Sequence, residues 1–312
     1  MRAFLFPGQG SQSVGMGAAL ADASQAARDT FGEVDEALGQ NLFKLMREGP
    51  EDDLKLTENA QPAIMAHALA VFRSLTREGG VSLEKAAQFV AGHSLGEYSA
   101  LCAAGSFDLP TTAKLLKLRG QAMQAAVPVG VGAMAALLGA DLALAEKIAA
   151  AAAQGEICTV ANDNDPSQVV ISGHKGAIDR AIEMAKEMGA KRALPLPVSA
   201  PFHCPLMQPA ADAMAEALGK TVIEPPHVPL YANVTAAAVA DPAEIERLLV
   251  SQVTGMVRWR ESIANLHAAG VEEFVEVGGK VLGPMVKRIA PDAKVTSIIT
   301  IEDVEAVAKE LA

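Results

Sequence analysis

The chain has 312 residues, a net charge of −11 at neutral pH and 50% hydrophobic residues. This length and apolar content predict one large globular domain, or a large domain with a smaller insert. The acidic balance and the lack of a basic tract exclude a typical nucleic-acid-binding protein, and no apolar run is long enough for a membrane span. We expect no nucleic-acid or membrane partner, and we expect a monomer.

The first third of the chain predicts strands that alternate with helices. Residues 2–6 form a short apolar strand that ends in the loop Pro7-Gly8-Gln9-Gly10. Amphipathic patterns predict helices over about 23–48 and 58–78, and Phe89-Val90-Ala91 predicts the end of a buried strand. Aromatic residues make up only 4% of the chain, so Ala, Leu and Val dominate its apolar positions. This composition favours a parallel sheet covered by helices.

The pentapeptide Gly92-His93-Ser94-Leu95-Gly96 follows this strand and precedes a predicted helix over 97–104 that ends at Gly105. A G-x-S-x-G motif on a strand-to-helix turn is typical of a nucleophile elbow, in which the serine side chain is presented at the turn. The pattern therefore predicts Ser94 as a nucleophile. A further helix runs from Pro110 to about 126.

Residues 128–196 predict a subdomain inserted into the larger α/β domain, which comprises 1–127 and 197–312. The order β-α-β-β-α-β predicts a ferredoxin-like arrangement, with a turn at 162–166. The expected strands of this insert are 133–139, 157–161, 168–172 and 192–196, and its helices are 141–154 and 175–188. The remaining expected helices are about 204–218, 241–254, 258–269, 281–290 and 301–311, with strands at about 228–232, 272–277 and 294–299.

A serine hydroxyl is a weak nucleophile and needs a base within hydrogen-bonding reach. Two histidines are candidates. His93 is adjacent to Ser94, but neighbouring side chains on a turn point apart, whereas His203 lies on a loop directly after the insert.

Acyl transfer also needs backbone donors for an oxyanion. The N–H of Leu95 and the loop Gly8-Gln9-Gly10 are candidates because both follow strands of the predicted sheet. Arg119 has apolar helical neighbours, so its head lies either in solvent or in a pocket, where it could bind a carboxylate through two hydrogen bonds.

The cysteine and histidine patterns predict no disulfide framework and no metal site. Cys102, Cys158 and Cys204 are widely spaced, which fits a reducing cytoplasm. The six histidines show no metal-ligand spacing, and no phosphate-binding glycine motif is present.

Several motifs occur in one order along nearly the whole chain. They are Gly8-Gln9-Gly10-Ser11-Gln12, Gly92-His93-Ser94-Leu95-Gly96-Glu97, Arg119, Asn162, Phe202-His203 and Gln252. This set resembles the malonyl-CoA:acyl carrier protein transacylases of bacterial fatty-acid synthesis. It is also similar to the acyltransferase domains of polyketide and fatty-acid synthases. The resemblance implies an α/β-hydrolase-like core with a mainly parallel sheet, and an inserted ferredoxin-like α+β subdomain.

The resemblance implies a role for each matching residue. Ser94 is the nucleophile that becomes acylated, and His203 is its base. Gln252 orients this histidine through its backbone carbonyl, in place of a triad carboxylate. Gln9 and Leu95 supply the oxyanion-hole N–H groups.

The implied substrate pocket centres on Arg119, which holds the free carboxylate of malonate. Its other implied lining residues are Gln61, His93, Asn162 and Phe202. Phe202 limits the room for an α-methyl branch. Coenzyme A enters as part of the substrate, and no cofactor is implied.

The expected reaction is therefore a ping-pong transfer of malonyl from malonyl-CoA to a transiently bound acyl carrier protein in fatty-acid synthesis. The alternatives are a serine esterase or thioesterase with the same elbow, a malonyltransferase of polyketide synthesis, and a non-catalytic scaffold that binds carrier protein. Because carrier proteins are acidic, docking needs local cations. Candidates by position are Lys191, Arg192, Lys280, Lys287 and Arg288.

Overall fold

The computed structural model describes residues 1–198 and 200–311, which form two β-sheets and their covering helices. The strands are β1 Arg2–Phe6, β2 Phe89–Gly92, β3 Gly132–Leu138, β4 Cys158–Asp165, β5 Gln168–His174, β6 Arg192–Pro195, β7 Leu230–Ala232, β8 Ala237–Val239, β9 Glu273–Val277 and β10 Lys294–Ile298. The helices are α1 Ala18–Ala23, α2 Gln25–Leu38, α3 Leu42–Glu48, α4 Glu51–Lys55, α5 Thr57–Arg73, α6 Leu83–Ala86, α7 Gly96–Ala103, α8 Leu109–Ala125, α9 Leu142–Ala153, α10 Lys175–Ala185, α11 Gln208–Leu218, α12 Pro242–Thr254, α13 Trp259–Ala268, α14 Leu282–Ile289 and α15 Ile301–Leu311. A π-helical turn continues α5 at Ser74–Glu78, and a 3-10 turn precedes α11 at Pro205–Met207.

The larger sheet has the strand order β10-β9-β1-β2-β7-β8. Its strands are parallel except for β8, which runs antiparallel to β7 at one edge. In β1, Phe4 and Phe6 pack into one hydrophobic layer, whereas Ala3 and Leu5 pack into the layer on the opposite face. Burial on both faces explains why this strand is apolar at successive positions. The predicted α/β class with a mainly parallel sheet is confirmed.

The second sheet has the order β4-β5-β3-β6 and is antiparallel throughout. Its chain order is β3-α9-β4-β5-α10-β6, as expected for a ferredoxin-like unit. Leu137 and Ile171 pack on one face in a cluster with residues of α9 and α10, while Ala136 and Val170 belong to the main core. The elements of this sheet lie within 132–195, and the domain limits at 128 and 196 stay a prediction.

The helix predicted over 23–48 is two helices, α2 and α3. Gly39 ends α2 with a left-handed φ of 58°, a conformation that glycine adopts at little cost. The short strand β8 was missing from the sequence prediction because a three-residue run carries little periodicity.

The turn predicted over 162–166 is wrong in its first four residues. The strand β4 continues to Asp165, with irregular pairing to β5, and Asn162 bridges to Val257 of the larger domain. Asp163 pairs with Arg260, and its side chain is 1% exposed. Polar residues that usually form turns are therefore held in a strand, because their partners Val257 and Arg260 lie outside this sheet.

The carboxyl ends of β1 and β2 bring two predicted loops to the same edge of the sheet. Phe6 pairs in register with Gly92, so the loop Pro7-Gly8-Gln9-Gly10 and the turn at Ser94 lie beside each other. In open parallel sheets, this edge is where ligands bind. None of the described helices combines the length and apolarity that a bilayer span requires.

Candidate active site

Ser94 lies in the turn between β2 and α7 with a left-handed φ of 54°. A β-carbon on Gly92 would lie 1.9 Å from the backbone carbon of Gly96, and one on Gly96 would lie 2.3 Å from the backbone oxygen of Phe6. Glycine is therefore required at both positions of the turn. A left-handed non-glycine residue costs about 1–3 kcal/mol, so the surrounding contacts must hold Ser94 in place. This is the strand–turn–helix geometry of a nucleophile elbow.

His203 is the histidine that the fold brings to Ser94. Its Nε2 lies 2.8 Å from Ser94 Oγ, and its Nδ1 lies 2.8 Å from the backbone oxygen of Gln252. Because a carbonyl oxygen only accepts, Nδ1 carries the hydrogen, and the Nε2 lone pair faces the hydroxyl. Ser94 thus faces the lone pair of an imidazole that a backbone carbonyl orients, which is the geometry that a general base requires.

The protonation state of His203 suits a base. Burial and, to a lesser extent, the positive charge of Arg119 lower the pKa of His203 to about 3, although the hydrogen bond to Gln252 opposes the shift. The imidazole is therefore neutral at neutral pH and can accept the proton of Ser94.

His93, the alternative base, is held elsewhere. Its Nε2 lies 2.8 Å from Asn164 Oδ1, and its ring centroid lies 5.5 Å from that of Trp259. Burial also lowers the pKa of His93, although the bond to Asn164 opposes this. Within the described residues it makes no hydrogen bond to Ser94, so it forms part of the wall of the site.

Arg119 lies inside the protein, which settles the choice between solvent and pocket. The residue is 1% exposed, and its guanidinium lies 5.8 Å from the ring centroid of Tyr98. It donates to Gln61 Oε1 at 2.8 Å, to Gln252 Oε1 at 2.8 Å and to Ser94 Oγ at 3.2 Å. These partners are all neutral. A buried cation without a hydrogen-bonded carboxylate strongly favours an anionic ligand.

A cleft of about 270 Å³ opens over these groups. Both members of the Ser94–His203 pair line it, together with predicted pocket residues from loops, from helices and from β4 of the second sheet. The lining residues named in the sequence analysis are Gln9, Gln61, His93, Ser94, Arg119, Asn162, Phe202 and His203. Lys55 and Met134 also line it, and the sequence analysis missed both.

Two backbone N–H groups are available beside the serine. Within the described parts of the chain, the N–H groups of Gln9 and Leu95 donate to no acceptor. Leu95 buries its side chain in the core, so only its backbone serves the site. The N–H of Ser94 itself is already used, since it donates to Asn233 Oδ1 at 2.9 Å.

Glu97, Asn233 and the side chain of Gln252 form a buried polar layer that the sequence analysis missed. Asn233 Nδ2 donates to the backbone oxygen of Gly92 at 2.8 Å, and its backbone N–H donates to Glu97 Oε1 at 2.6 Å. Glu97 directly follows the G-x-S-x-G motif, which is the one sequence signal that could have found it. Asn233 carries no such signal.

The five docking candidates are all exposed, but they differ in whether their side chains have partners within the protein. Arg288 pairs with the buried carboxylate of Asp165 at 2.8 Å, and Lys287 Nζ donates to the backbone oxygen of Ala293 at 2.5 Å. Both cations therefore have structural partners.

Comparison with known families decides the class of this protein. The acyl transferase domain family matches residues 3–282. The chain belongs to this family. This acyl transferase is 46% identical over 288 residues to the malonyl CoA-acyl carrier protein transacylase of Escherichia coli strain K12, an alignment that covers 92% of both chains. It is 44% identical to the Bacillus subtilis protein of the same name, covering 97% of this chain and 95% of that one.

Solved structures agree with the fold of this acyl transferase. An acyl-carrier-protein-S-malonyltransferase from Bartonella henselae superposes with a TM-score of 0.97 at 52% identity, covering 99% of both chains. A malonyl-transacylase solved in complex with its type II polyketide acyl-carrier protein has a TM-score of 0.95 at 40% identity, again covering 99% of both chains.

Proposed function

We propose that this acyl transferase moves a malonyl group from malonyl-CoA to the phosphopantetheine thiol of an acyl carrier protein. One observation carries the proposal: His203 Nε2 and the guanidinium of Arg119 both contact Ser94 Oγ in one cleft. A short diacid esterified to this oxygen has its free carboxylate within reach of the guanidinium. The names of the relatives support the same substrate pair.

In the first half-reaction, Ser94 Oγ attacks the thioester carbon while His203 Nε2 takes the hydroxyl proton. The oxyanion that forms accepts hydrogen bonds from the N–H groups of Gln9 and Leu95. As it collapses, the carbon–sulfur bond breaks, and His203 returns the proton to the leaving coenzyme A thiolate. The product is a malonyl ester on Ser94.

The second half-reaction runs the same steps with a different thiol. The carrier thiol gives its proton to His203 and attacks the ester carbon. The carbon–oxygen bond then breaks, and the proton passes to Ser94 Oγ. Every proton moves through this Ser94–His203 dyad, so the proposed reaction uses no cofactor.

Arg119 selects the acyl group. A malonyl carboxylate pairs with its guanidinium, whereas an acetyl group leaves that buried cation with neutral partners only. A site built to bind a charged group discriminates strongly against an analogue that lacks it, because the buried group is then unpaired.

The carrier protein needs cations near the cleft mouth because both proteins are acidic. All five candidates are exposed, but Lys287 and Arg288 have structural partners around α14, so we propose Lys191, Arg192 and Lys280 for this role. Fatty-acid synthesis is the proposed pathway, with a polyketide carrier as the alternative. The cytoplasmic location stays a prediction from the three free cysteines.

The test begins with malonyl-CoA and the purified protein. We expect a malonyl mass increment that peptide mapping places on Ser94, and none in Ser94→Ala. A carrier protein with its free pantetheine thiol should then remove the adduct much faster than buffer does. No adduct on Ser94 would overturn the proposal. Discharge by water as fast as by thiol would identify a hydrolase instead.

A further inference from the structure

A buried polar layer lies directly beneath the nucleophile. It consists of Glu97, Asn233 and Gln252, which are 1%, 0% and 0% exposed. The proposed dyad uses only the backbone carbonyl of Gln252. The side chains of all three residues therefore need another explanation, because a buried carboxyl group and two buried amides are costly unless their hydrogen bonds are formed.

The side-chain amide of Gln252 links this layer to the substrate site. Its Oε1 accepts from Arg119, and its Nε2 donates to Glu97 Oε2 and to the backbone oxygen of Ser94 at 2.9 Å. An amide has a donor end and an acceptor end, so its orientation decides which end Arg119 meets. With the opposite orientation, an NH2 group would face the guanidinium.

Glu97 sets this orientation together with two further acceptors of the Gln252 NH2 group, the backbone oxygen of Ser94 at 2.9 Å and Asn233 Oδ1 at 3.3 Å. Both carboxylate oxygens of Glu97 accept, one from the backbone N–H of Asn233 and the other from the Gln252 amide. The backbone N–H is a fixed donor, and Asn233 is held further by its bonds to Gly92 and Ser94. The second carboxylate oxygen is therefore the one ionisable acceptor among those that hold the NH2 end of Gln252, and the oxygen end consequently points at Arg119.

We infer that Glu97 is a positioning residue for acyl-group selectivity, acting through the Gln252 amide to hold the Arg119 guanidinium where a malonyl carboxylate binds. The inference deepens the proposed function and rests on it. Glu97 touches neither the dyad side chains nor the proposed substrate, so its effect is on selectivity.

The pH dependence of the malonyl-to-acetyl rate ratio provides a second, independent measurement. Burial raises the pKa of Glu97, and the resulting value is about 8 although the bonds from Asn233 and Gln252 and the charge of Arg119 oppose the shift. A protonated Glu97 presents a donor to Gln252 and releases the amide. The other charged or titratable groups that act on Glu97 are Arg119 and Tyr98. Burial raises the pKa of Tyr98, and a guanidinium stays charged, so neither titrates near pH 8.

Glu97→Gln is the direct test. The new amide keeps an oxygen for the N–H of Asn233 but turns its NH2 group toward the NH2 group of Gln252. Because the Gln252 side chain is the more flexible of the two partners, we expect it to move out of its orientation toward Arg119. Above pH 8, where the Glu97 carboxylate is ionised, we expect the ratio of malonyl-CoA to acetyl-CoA acylation rates to fall roughly ten- to hundredfold, as expected for a weakened charged contact. Inactivation by phenylmethylsulfonyl fluoride, a neutral probe of Ser94, should change by less than about threefold because the Gln252 carbonyl still orients His203.

Gln252→Met provides the matched variant, since it removes the amide and keeps the backbone carbonyl. It should lower the same ratio, and Glu97→Gln should add little in its background, because both act through one contact. In the unmodified enzyme, the ratio should rise as the pH increases through about 8, and this rise should be absent in Glu97→Gln.

Three outcomes would overturn the inference: an unchanged ratio in Glu97→Gln, additive effects in the double variant, or equal losses for malonyl-CoA, acetyl-CoA and the neutral probe. If Glu97→Gln fails to fold, Gln252→Met and the pH profile of the unmodified enzyme still decide. Failure of the proposed function is distinguishable, since the unmodified enzyme would then form no malonyl ester on Ser94.

Discussion

Arg119→Ala removes the guanidinium that donates to Ser94 Oγ, Gln61 and Gln252 in the cleft. A bound malonyl group would then bury its carboxylate without a cationic partner. A charge-assisted hydrogen bond contributes about 1.5–3 kcal/mol, which corresponds to roughly ten- to hundredfold in rate. We expect the rate of malonyl-Ser94 formation to fall by this factor.

The rate with acetyl-CoA should change in the other direction. An acetyl group leaves the Arg119 cation unpaired in the parent enzyme, so removing the cation removes this penalty. Loss of the cation also lets the pKa of His203 rise toward its ordinary value, because the charge of Arg119 is one cause of its depression. At mildly alkaline pH His203 is neutral in both proteins, so the acylation rates of Arg119→Ala and the parent should be compared at that pH.

The assay is single-turnover acylation, followed by intact mass for both thioesters. Arg180→Ala is the matched control, since Arg180 pairs with Glu156 and with backbone oxygens of α9, away from the cleft residues. It should leave both rates unchanged. Equal malonyl rates in Arg119→Ala and the parent would refute the role of Arg119, as would equal losses for malonyl-CoA and acetyl-CoA.

Three further outcomes follow from the site and from the contact between the two sheets. Because the pKa of His203 is lowered to about 3, inactivation by phenylmethylsulfonyl fluoride should not lose rate between about pH 8 and 5, and an acid limb near the ordinary imidazole pKa of about 6.5 would contradict this. Phe202→Ala should raise the relative rate with methylmalonyl-CoA by about tenfold, measured by competition with malonyl-CoA, and an unchanged ratio would show that Phe202 does not limit the branch. Arg260→Ala should lower the unfolding free energy, measured in urea, by about 3–5 kcal/mol, because it leaves the 1% exposed carboxylate of Asp163 unpaired. Asp163→Ala should cost less, since the 34% exposed guanidinium of Arg260 can be rehydrated. The reverse order of the two costs would contradict this account of the pair.

The site shows where sequence reasoning succeeds and where it stops. The elbow at Ser94 could be predicted because its cause is local: two glycines allow the strand and helix to pass closely, and both lie within the same pentapeptide. His203 is 109 residues from Ser94, so spacing alone left it open against His93, and the family resemblance was needed to choose. The same local turn positions the backbone N–H of Leu95, and its role as an oxyanion-hole donor stays a prediction.

The buried polar layer could not be predicted from the sequence. Glu97 and Asn233 are 136 positions apart, and nothing in either neighbourhood indicates that they meet. The turn predicted over 162–166 failed for the same reason. Its polar residues favour a turn locally, but Arg260 and Arg288 of the larger domain pair with the carboxylates of Asp163 and Asp165 and hold them in β4.

The sequence by itself determined the α/β class, the ferredoxin-like insert and the elbow, because each depends on periodicity or on glycines close together in the chain. Only the tertiary structure decided which charges are buried and what they face. Arg119 sits on a helix with apolar neighbours, a pattern equally compatible with solvent. Its burial, the neutrality of His203 and the contacts of Glu97 all depend on segments that are distant in sequence and are brought together by packing.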